Sequence, residues 1–326
     1  MDISIIIPAY DEEDNVLPLY DKIKEVMENM PSYFKKLDQK DLSKRYKSYE
    51  IIFIDDGSSD MTFENLKKIK DRNVRLIRFR KNFGQSAAWL AGFHHAQGDV
   101  VFTMDSDLQN DPKDIPRLLA KLEEGYDCIS GWRRKRKDSL SKHIFSRISN
   151  LLRHKLINDN VHDSGCSLKA YRKECLKDIE LYGEMHRYIT SLIKLRGFRI
   201  GEIKVRHMPR IHNKTKYNLY RIIKGFLDLW NVWFWQKFSG RPLHLFGALG
   251  ILIISFGLIG GFFSVYMKIF RKVDLSDTFL PVIAIFSVMV GIQLLVSGIL
   301  GDIIIKNYHR ISGKKGYELR EVIQRR

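Results

Sequence analysis

Past Arg241 the chain changes character, and that break limits what it can become. Two long apolar segments follow, Leu243 to Met267 and Thr278 to Ile305. Each exceeds the roughly 20 residues a helix needs to cross a bilayer. Both contain several glycines, which membrane helices tolerate. As buried helices of a soluble domain they would be too long and too poor in charge. The pattern therefore predicts a membrane hairpin over 241–305, with spans at 243–267 and 278–305.

The formal net charge is +17. Such a balance suits nucleic acid, an anionic membrane or a phosphorylated substrate equally, so its distribution has to decide. Lys306, Arg310, Lys314, Lys315, Arg320, Arg325 and Arg326 crowd the tail at 306–326, and the segment before the first span is equally basic. The positive-inside rule puts both in the cytoplasm. The hairpin tip carries Lys268, Arg271 and Lys272, so the bias is relative. Immediately before the first span, 219–240 reads as an amphipathic helix lying in the membrane interface. Trp230, Trp233 and Trp235 sit there among Arg221, Lys224 and Lys237, indoles and long cations that suit the headgroup level. Cys128, Cys166 and Cys175 form no CxxC pair, and we read them as reduced thiols. The apolar run Ile3 to Ile7 lacks the basic lead and long apolar core of a secretory signal.

Residues 1–218 alternate short apolar runs with helical periodicity. Strands are expected at Ile3 to Ile7, Glu50 to Ile54, Val74 to Phe79, Asp99 to Met104 and Asp127 to Ser130. Helices are expected at Glu13 to Met30, Asp60 to Lys70, Gly84 to Ala96 and Asp114 to Glu124. Pro31 to Tyr49 reads as a polar surface excursion. The alternation predicts an α/β domain with a mostly parallel sheet and helices on both faces. Ligands of open sheets sit beyond the carboxyl ends of strands, which selects Pro8 to Glu12, Asp55 to Ser58 and Asp105 to Gln109.

Asp105 and Asp107 follow a buried strand, and carboxylates so spaced can share one oxygen-liganded cation. That cation, Mg2+ or Mn2+, would bridge nucleotide phosphates. Asp55, Asp56, Gly57 and Ser58 make a strand-to-helix turn in which Ser58 or Asp60 can cap the next helix. A carboxylate there can also accept a hydrogen bond from a base or ribose. Pro8, Ala9, Tyr10, Asp11 and Glu12 face the same edge.

The ordered strings IIIPAYDEEDN, IIFIDDGSSD, RKNFGQSAAWLAGF and MDSDLQNDP resemble the family 2 glycosyltransferases with a GT-A (nucleotide-diphospho-sugar transferase) fold. SGWRRKRKDS, HDSGCSLKAYRKE, GEMHRYITSLIKLRGFRI and RHMPRIHNKTKYNLYRIIKGF narrow the resemblance to the polyprenyl-phosphate glycosyltransferases, such as dolichyl-phosphate mannose synthases and bactoprenyl-phosphate glucosyltransferases. Asp11 stands where the family usually has Asn, Thr215 where it often has Ser, and the 31–49 excursion is longer than expected. The resemblance implies that Pro8, Tyr10, Glu12 and Asp56 line the base and ribose. It implies that Asp105 and Asp107 bind metal and diphosphate, with Gln109 completing the metal shell. Arg133 and Arg147 would contact donor or acceptor phosphate, and Arg210 and Lys216 would clamp the lipid phosphate. Basic groups at a membrane surface attract such a headgroup in any case. Asp163 would orient acceptor or sugar, or merely cap a turn. His186 and Arg187 would lie near the site, although a histidine at a helix start is more often structural.

The implied activity is metal-dependent, inverting transfer of one sugar from a nucleotide-sugar, UDP-glucose or UDP-N-acetylglucosamine first, to undecaprenyl or dolichyl phosphate at the cytoplasmic membrane face. Similar proteins imply a homo-oligomer. The alternatives are a GDP-mannose-dependent dolichyl-phosphate mannose synthase, a processive polysaccharide synthase and an inactive membrane scaffold. No QxxRW string supports the processive reading, and no GxGxxG follows a strand as a dinucleotide oxidoreductase would need. No nucleic-acid motif accompanies the basic charge.

Overall fold

The computed structural model describes residues 1–133, 161–181, 183–209, 234 and 242–312. The chain divides into two compact units, Met1–Val232 and Trp233–Arg326.

In the first unit, seven strands form one sheet in the order β3-β2-β1-β4-β6-β5-β7. They are β1 (Ile3–Ala9), β2 (Tyr49–Asp55), β3 (Val74–Arg78), β4 (Val100–Thr103), β5 (Cys128–Trp132), β6 (Lys169–Arg172) and β7 (Ile200–Lys204). The first four pair in parallel, as do β5 and β7. β6 runs antiparallel to both neighbours. Seven consecutive buried residues make β1 a strand covered on both faces, as the unbroken apolar run requires.

Alternate residues feed two cores. Ile5, Ile7, Ile51, Phe53 and Phe102 pack with α1 (Val16–Glu28) and α6 (Ile115–Leu122). Ile6, Ile52, Ile54 and Val101 pack on the other face with α5 (Gln85–His95) and the helix Ile189–Leu195. A further helix, α4 (Thr62–Lys67), follows β2 and is shorter than the sequence reading allowed.

The 31–49 excursion differs from expectation. It folds into α2 (Met30–Lys36) and α3 (Lys40–Arg45). Met30, Phe34, Leu42 and Tyr46 are buried in the core. Two pairs spaced four residues apart, Met30 with Phe34 and Leu42 with Tyr46, anchor a segment whose other residues are mostly polar. Tyr46 Oη donates to Glu123 Oε1 at 2.6 Å, and Glu123 also pairs with Arg45 and Arg172 at 2.5 and 2.8 Å. One carboxylate thus ties the excursion to the end of α6 and to β6.

In the second unit, two helices, Pro242–Arg271 and Leu280–Ser312, pack as a hairpin. Both are long and apolar enough to cross a membrane. Glycines set their contact: a Cβ on Gly250 would lie 2.7 Å from the Gly291 carbonyl oxygen, and one on Gly291 would lie 2.5 Å from Ile254 Cγ1. Small residues let helix backbones approach this closely. Ser255, Ser264, Ser287 and Ser297 donate their hydroxyls to carbonyls of their own helices. Large apolar side chains point outward; Phe262 is 76% exposed and Phe270 70%. The core helix of a soluble domain would bury such residues.

Candidate active site

Parallel β1, β2 and β4 are neighbours, so their carboxyl ends deliver Pro8 to Glu12, Asp55 to Ser58 and Asp105 to Gln109 to one edge. Because β6 reverses direction, the loop leading into it, Asp163 to Ser167, arrives at that edge as well. Thr103 of β4 and Ser130 of β5 both lie opposite Lys169. Arg133, directly after β5, completes the row.

The first two strand ends are stitched together. Asp11 N donates to Ser58 Oγ and Glu12 N to Thr62 Oγ1, at 3.1 and 2.8 Å. In return, Ser59 N donates to Asp11 Oδ1 at 2.9 Å and Met61 N to Glu13 Oε2 at 2.9 Å. Asp11 holds a φ of +52°, a region that Asp and Asn enter more easily than other side chains. The departure from the family's Asn at this position therefore keeps the backbone geometry. Asp60 accepts from Glu13 N and Thr62 N, so its bonds bridge the loops and touch the start of α4. Pro8 is buried in β1, and Tyr10 is exposed beside it.

Asp56 has a structural task. Its two oxygens accept from Phe83 N at 2.7 Å and Gly84 N at 2.9 Å. Burial pushes its carboxyl above the usual range, and those two hydrogen bonds oppose the rise. Asp55, fully buried, pairs with Arg78 Nε at 3.1 Å. Beside them opens a cavity of about 400 Å³ lined by Gly57, Ser58, Arg78, Phe79 and Arg80. Neither arginine is announced by the sequence: Arg78 closes β3 and Arg80 follows just beyond it, among other basic residues.

Around the acidic pair, Gln85 Nε2 donates to Asp105 Oδ1 at 2.6 Å, and Gln109 N donates to Asp107 Oδ1 at 3.1 Å. Between them Leu108 is buried with φ +61°, an unusual conformation for a bulky residue. Burial, then the charge of Asp107, pushes the Asp105 carboxyl up to about 6, against a hydrogen bond from Ser167 and the charges of Arg133 and Lys169. Two crowded carboxylates of this kind are what a dication relieves. Among the described residues no three His, Cys, Asp or Glu side chains gather so as to hold a metal ion by themselves. A hard cation on Asp105 and Asp107 would therefore complete its oxygen shell from phosphate and water, the usual habit of Mg2+. The donor set fits such an ion. Gln109 faces Met208: its Nε2 donates to the Met208 carbonyl at 3.4 Å, and Met208 N donates to its carbonyl at 2.9 Å.

Arg133 is held by Asp163 through three bonds: Nε to Oδ2 at 2.7 Å, Nη2 to Oδ1 at 2.9 Å and backbone N to Oδ2 at 3.2 Å. Burial works against its charge, but these bonds and the carboxylate's charge prevail and raise its pKa. Asp163 is thus the partner that orients Arg133. His186 is buried, with Nδ1 at 2.9 Å from Ser86 Oγ and its ring edge-on to Trp89 at 5.8 Å. Arg187 pairs with Glu184 at 2.9 Å. Arg147, Arg210, Lys216 and the interfacial stretch, Phe234 excepted, lie outside the described residues.

The profile described as "Glycosyl transferase family 2" matches residues 4–180. Dodecaprenyl-phosphate galacturonate synthase of Rhizobium johnstonii is 33% identical over 329 residues, covering 99% of this chain and 93% of its own. Undecaprenyl-phosphate 4-deoxy-4-formamido-L-arabinose transferase of Proteus mirabilis is 31% identical over 325 residues, covering 98% and 94%. Among solved structures, glucosyl-3-phosphoglycerate synthase of Mycobacterium tuberculosis, in complex with Mn2+, UDP and phosphoglyceric acid, superposes with a TM-score of 0.52 at 17% identity over 74% of this chain and 81% of that one. A complex of the same enzyme with Mg2+ and UDP gives 0.52 at 18% identity over 70% and 79%. At such identities the likeness concerns the fold, which is GT-A, with a largely parallel sheet.

Proposed function

This chain belongs to glycosyl transferase family 2 and is a glycosyltransferase, and from that premise we propose that it moves one sugar from a nucleotide-sugar to a polyprenyl phosphate at the cytoplasmic face of a membrane. The observation that carries the reading is the meeting of Asp105 and Asp107 with Arg133 at the edge where three parallel strands end. That array suits a substrate that must part with a nucleoside diphosphate. The lipid acceptor is supported by the two named relatives, which match along nearly the whole chain, the apolar helix pair included.

Tyr10 and Glu12, with the cleft between Gly57 and Arg80, receive the base and ribose. Asp56 serves there by fixing the loop at Phe83 and Gly84. Asp105 and Asp107, with Gln109 nearby, are the residues that hold Mg2+ or Mn2+. A divalent cation, when bound, neutralises the departing diphosphate. Arg133 presents its guanidinium to phosphate, its orientation fixed by Asp163 and its charge undiluted by bulk water. Arg147, Arg210 and Lys216 are assigned to donor and lipid phosphate. The acceptor phosphate is an anion near neutral pH, so its oxygen attacks the anomeric carbon without a strong general base, and the bond to the diphosphate breaks with inversion.

The helix pair spans the membrane, and 219–240 lies along its surface. The two-span layout, which resembles that of the bactoprenyl-phosphate glucosyltransferases, favours a UDP-sugar, glucose or N-acetylglucosamine first. The named relatives act with galacturonate and 4-deoxy-4-formamido-L-arabinose, so a test must offer all four sugars. Labelled nucleotide-sugars are incubated with undecaprenyl and dolichyl phosphate, with and without Mn2+ or Mg2+. Metal-dependent label in the organic phase is the expected result. Absence of label from every donor, in protein that still binds nucleotide, would remove the acceptor assignment.

A further inference from the structure

Lysine is rarely enclosed without a partner, yet Lys169 is 1% exposed in the middle of the sheet. Burial lowers its pKa, so this position is held against a desolvation penalty. Its ammonium donates to two backbone carbonyls, those of Ser164, at 3.1 Å, and of Cys166. It stands 5.8 Å above the Trp89 ring, where a cation gains from the π face. Both carbonyls belong to the loop that carries Asp163.

The register gives this placement a direction. Lys169 lies opposite Thr103, which precedes Asp105, and opposite Ser130, which precedes Arg133. The same loop is pinned elsewhere: Thr103 Oγ1 donates to the Ser167 carbonyl at 2.8 Å, and Asn110 Nδ2 to Ser167 Oγ at 2.7 Å. Each of those bonds fixes the loop's far end. Lys169 fixes its middle, next to the residue that grips Arg133 three times.

We propose that Lys169 is a positioning residue: from behind the acidic pair it locks the backbone of the Asp163 to Ser167 loop, and through Asp163 it aims the Arg133 guanidinium. Lys169 itself touches no substrate. The catalytic consequence rests on the function proposed above; the coupling from Lys169 to Arg133 does not. Methionine at this position would fill similar volume, leave two buried carbonyls without donors and withdraw a charge felt by Asp105, whereas arginine keeps that charge. Arginine can restore donors to both.

The test uses full-length protein with Lys169→Met, Lys169→Arg, Arg133→Gln and the Lys169→Met/Arg133→Gln pair. Hydrogen exchange without nucleotide is the first readout. In Lys169→Met, the amides of Asp163 to Ser167 and of Arg133, whose N–H donates to Asp163, should exchange together, roughly tenfold faster or more, while β1 and β2 keep their protection. Lys169→Arg should return most of it. In transfer assays Lys169→Met should lower kcat on the order of 100-fold with KM for the nucleotide-sugar within about twofold. It should cost far less in the Arg133→Gln background, because residues acting through one group are non-additive. Loosening of the loop with the Arg133 amide unchanged overturns the proposal, as do equal losses in both backgrounds. If the wild-type chain transfers no sugar at all, the functional reading falls, and hydrogen exchange alone decides on Lys169.

Discussion

Gly57 leaves no room for a side chain. A Cβ there would lie 2.5 Å from the carbonyl carbon of Lys81, and its φ of +70° already disfavours one. Asp56, its neighbour, clasps the same loop from the other side. Gly57→Ala should therefore destabilise the first unit by about 1–3 kcal/mol, read as a fall in thermal midpoint of purified protein. At the acidic pair the expected effect is on chemistry. Asp107→Asn removes one of two carboxylates, and metal-dependent transfer should fall ~100- to 1,000-fold, the scale of losing a group that stabilises developing charge. Calorimetric titration of Mn2+ into the UDP-bound variant should show weakened binding. Undiminished activity and metal affinity would remove Asp107 from the site. The acidic pairs were legible because Asp55 and Asp105 each end an apolar run, where chemistry in an open sheet collects, and Asp56 and Asp107 follow within two residues. Lys169 was not: a lysine between Leu168 and Ala170 looks like the solvent side of an alternating strand. Only the antiparallel pairing with β4 and β5 encloses it, and strand partners far apart in sequence leave no local trace.

At the scale of elements, α2 and α3 were hidden for a different reason. Four anchors, Met30, Phe34, Leu42 and Tyr46, are diluted by polar neighbours, so the segment resembles a loop until the core is in view. The Tyr46 hydroxyl makes this anchoring testable. Desolvation, then its bond to Glu123, pushes it up to about 12 from 10.0. The native state thus favours the protonated phenol. Its contribution is complete below pH 10 and is lost as pH rises through about 12. Tyr46→Phe should lower stability by about 0.5–1.5 kcal/mol at neutral pH and flatten the alkaline loss. An unchanged alkaline profile would mean that Tyr46 does not tie the excursion down. In the helix pair the contact is backbone on backbone at Gly250 and Gly291. Gly291→Leu should force the helices apart at a cost of about 1–3 kcal/mol, seen as earlier thermal unfolding in detergent. A leucine tolerated without change would mean that the hairpin does not close there.

For the whole molecule, the break near Arg241 and the strand–helix alternation before it were readable from composition and period alone. The position of β6 was not, since nothing in its four residues announces its direction. If the helix pair spans a bilayer, an alkaline carbonate wash should leave the chain in the membrane fraction, and protease added from the cytoplasmic side should remove the first unit. Release by carbonate would reduce the pair to a peripheral contact. The reversal at β6 has one more consequence. The stretch between β5 and β6 leaves and rejoins the sheet at adjacent strands, and its two ends are buckled together by the Arg133–Asp163 pair and by Trp132 stacked on His162 at 4.3 Å. To a protein engineer this is a clasp: any exchange made between β5 and β6 has to leave Trp132, Arg133, His162 and Asp163 in place if the two ends are to stay fastened.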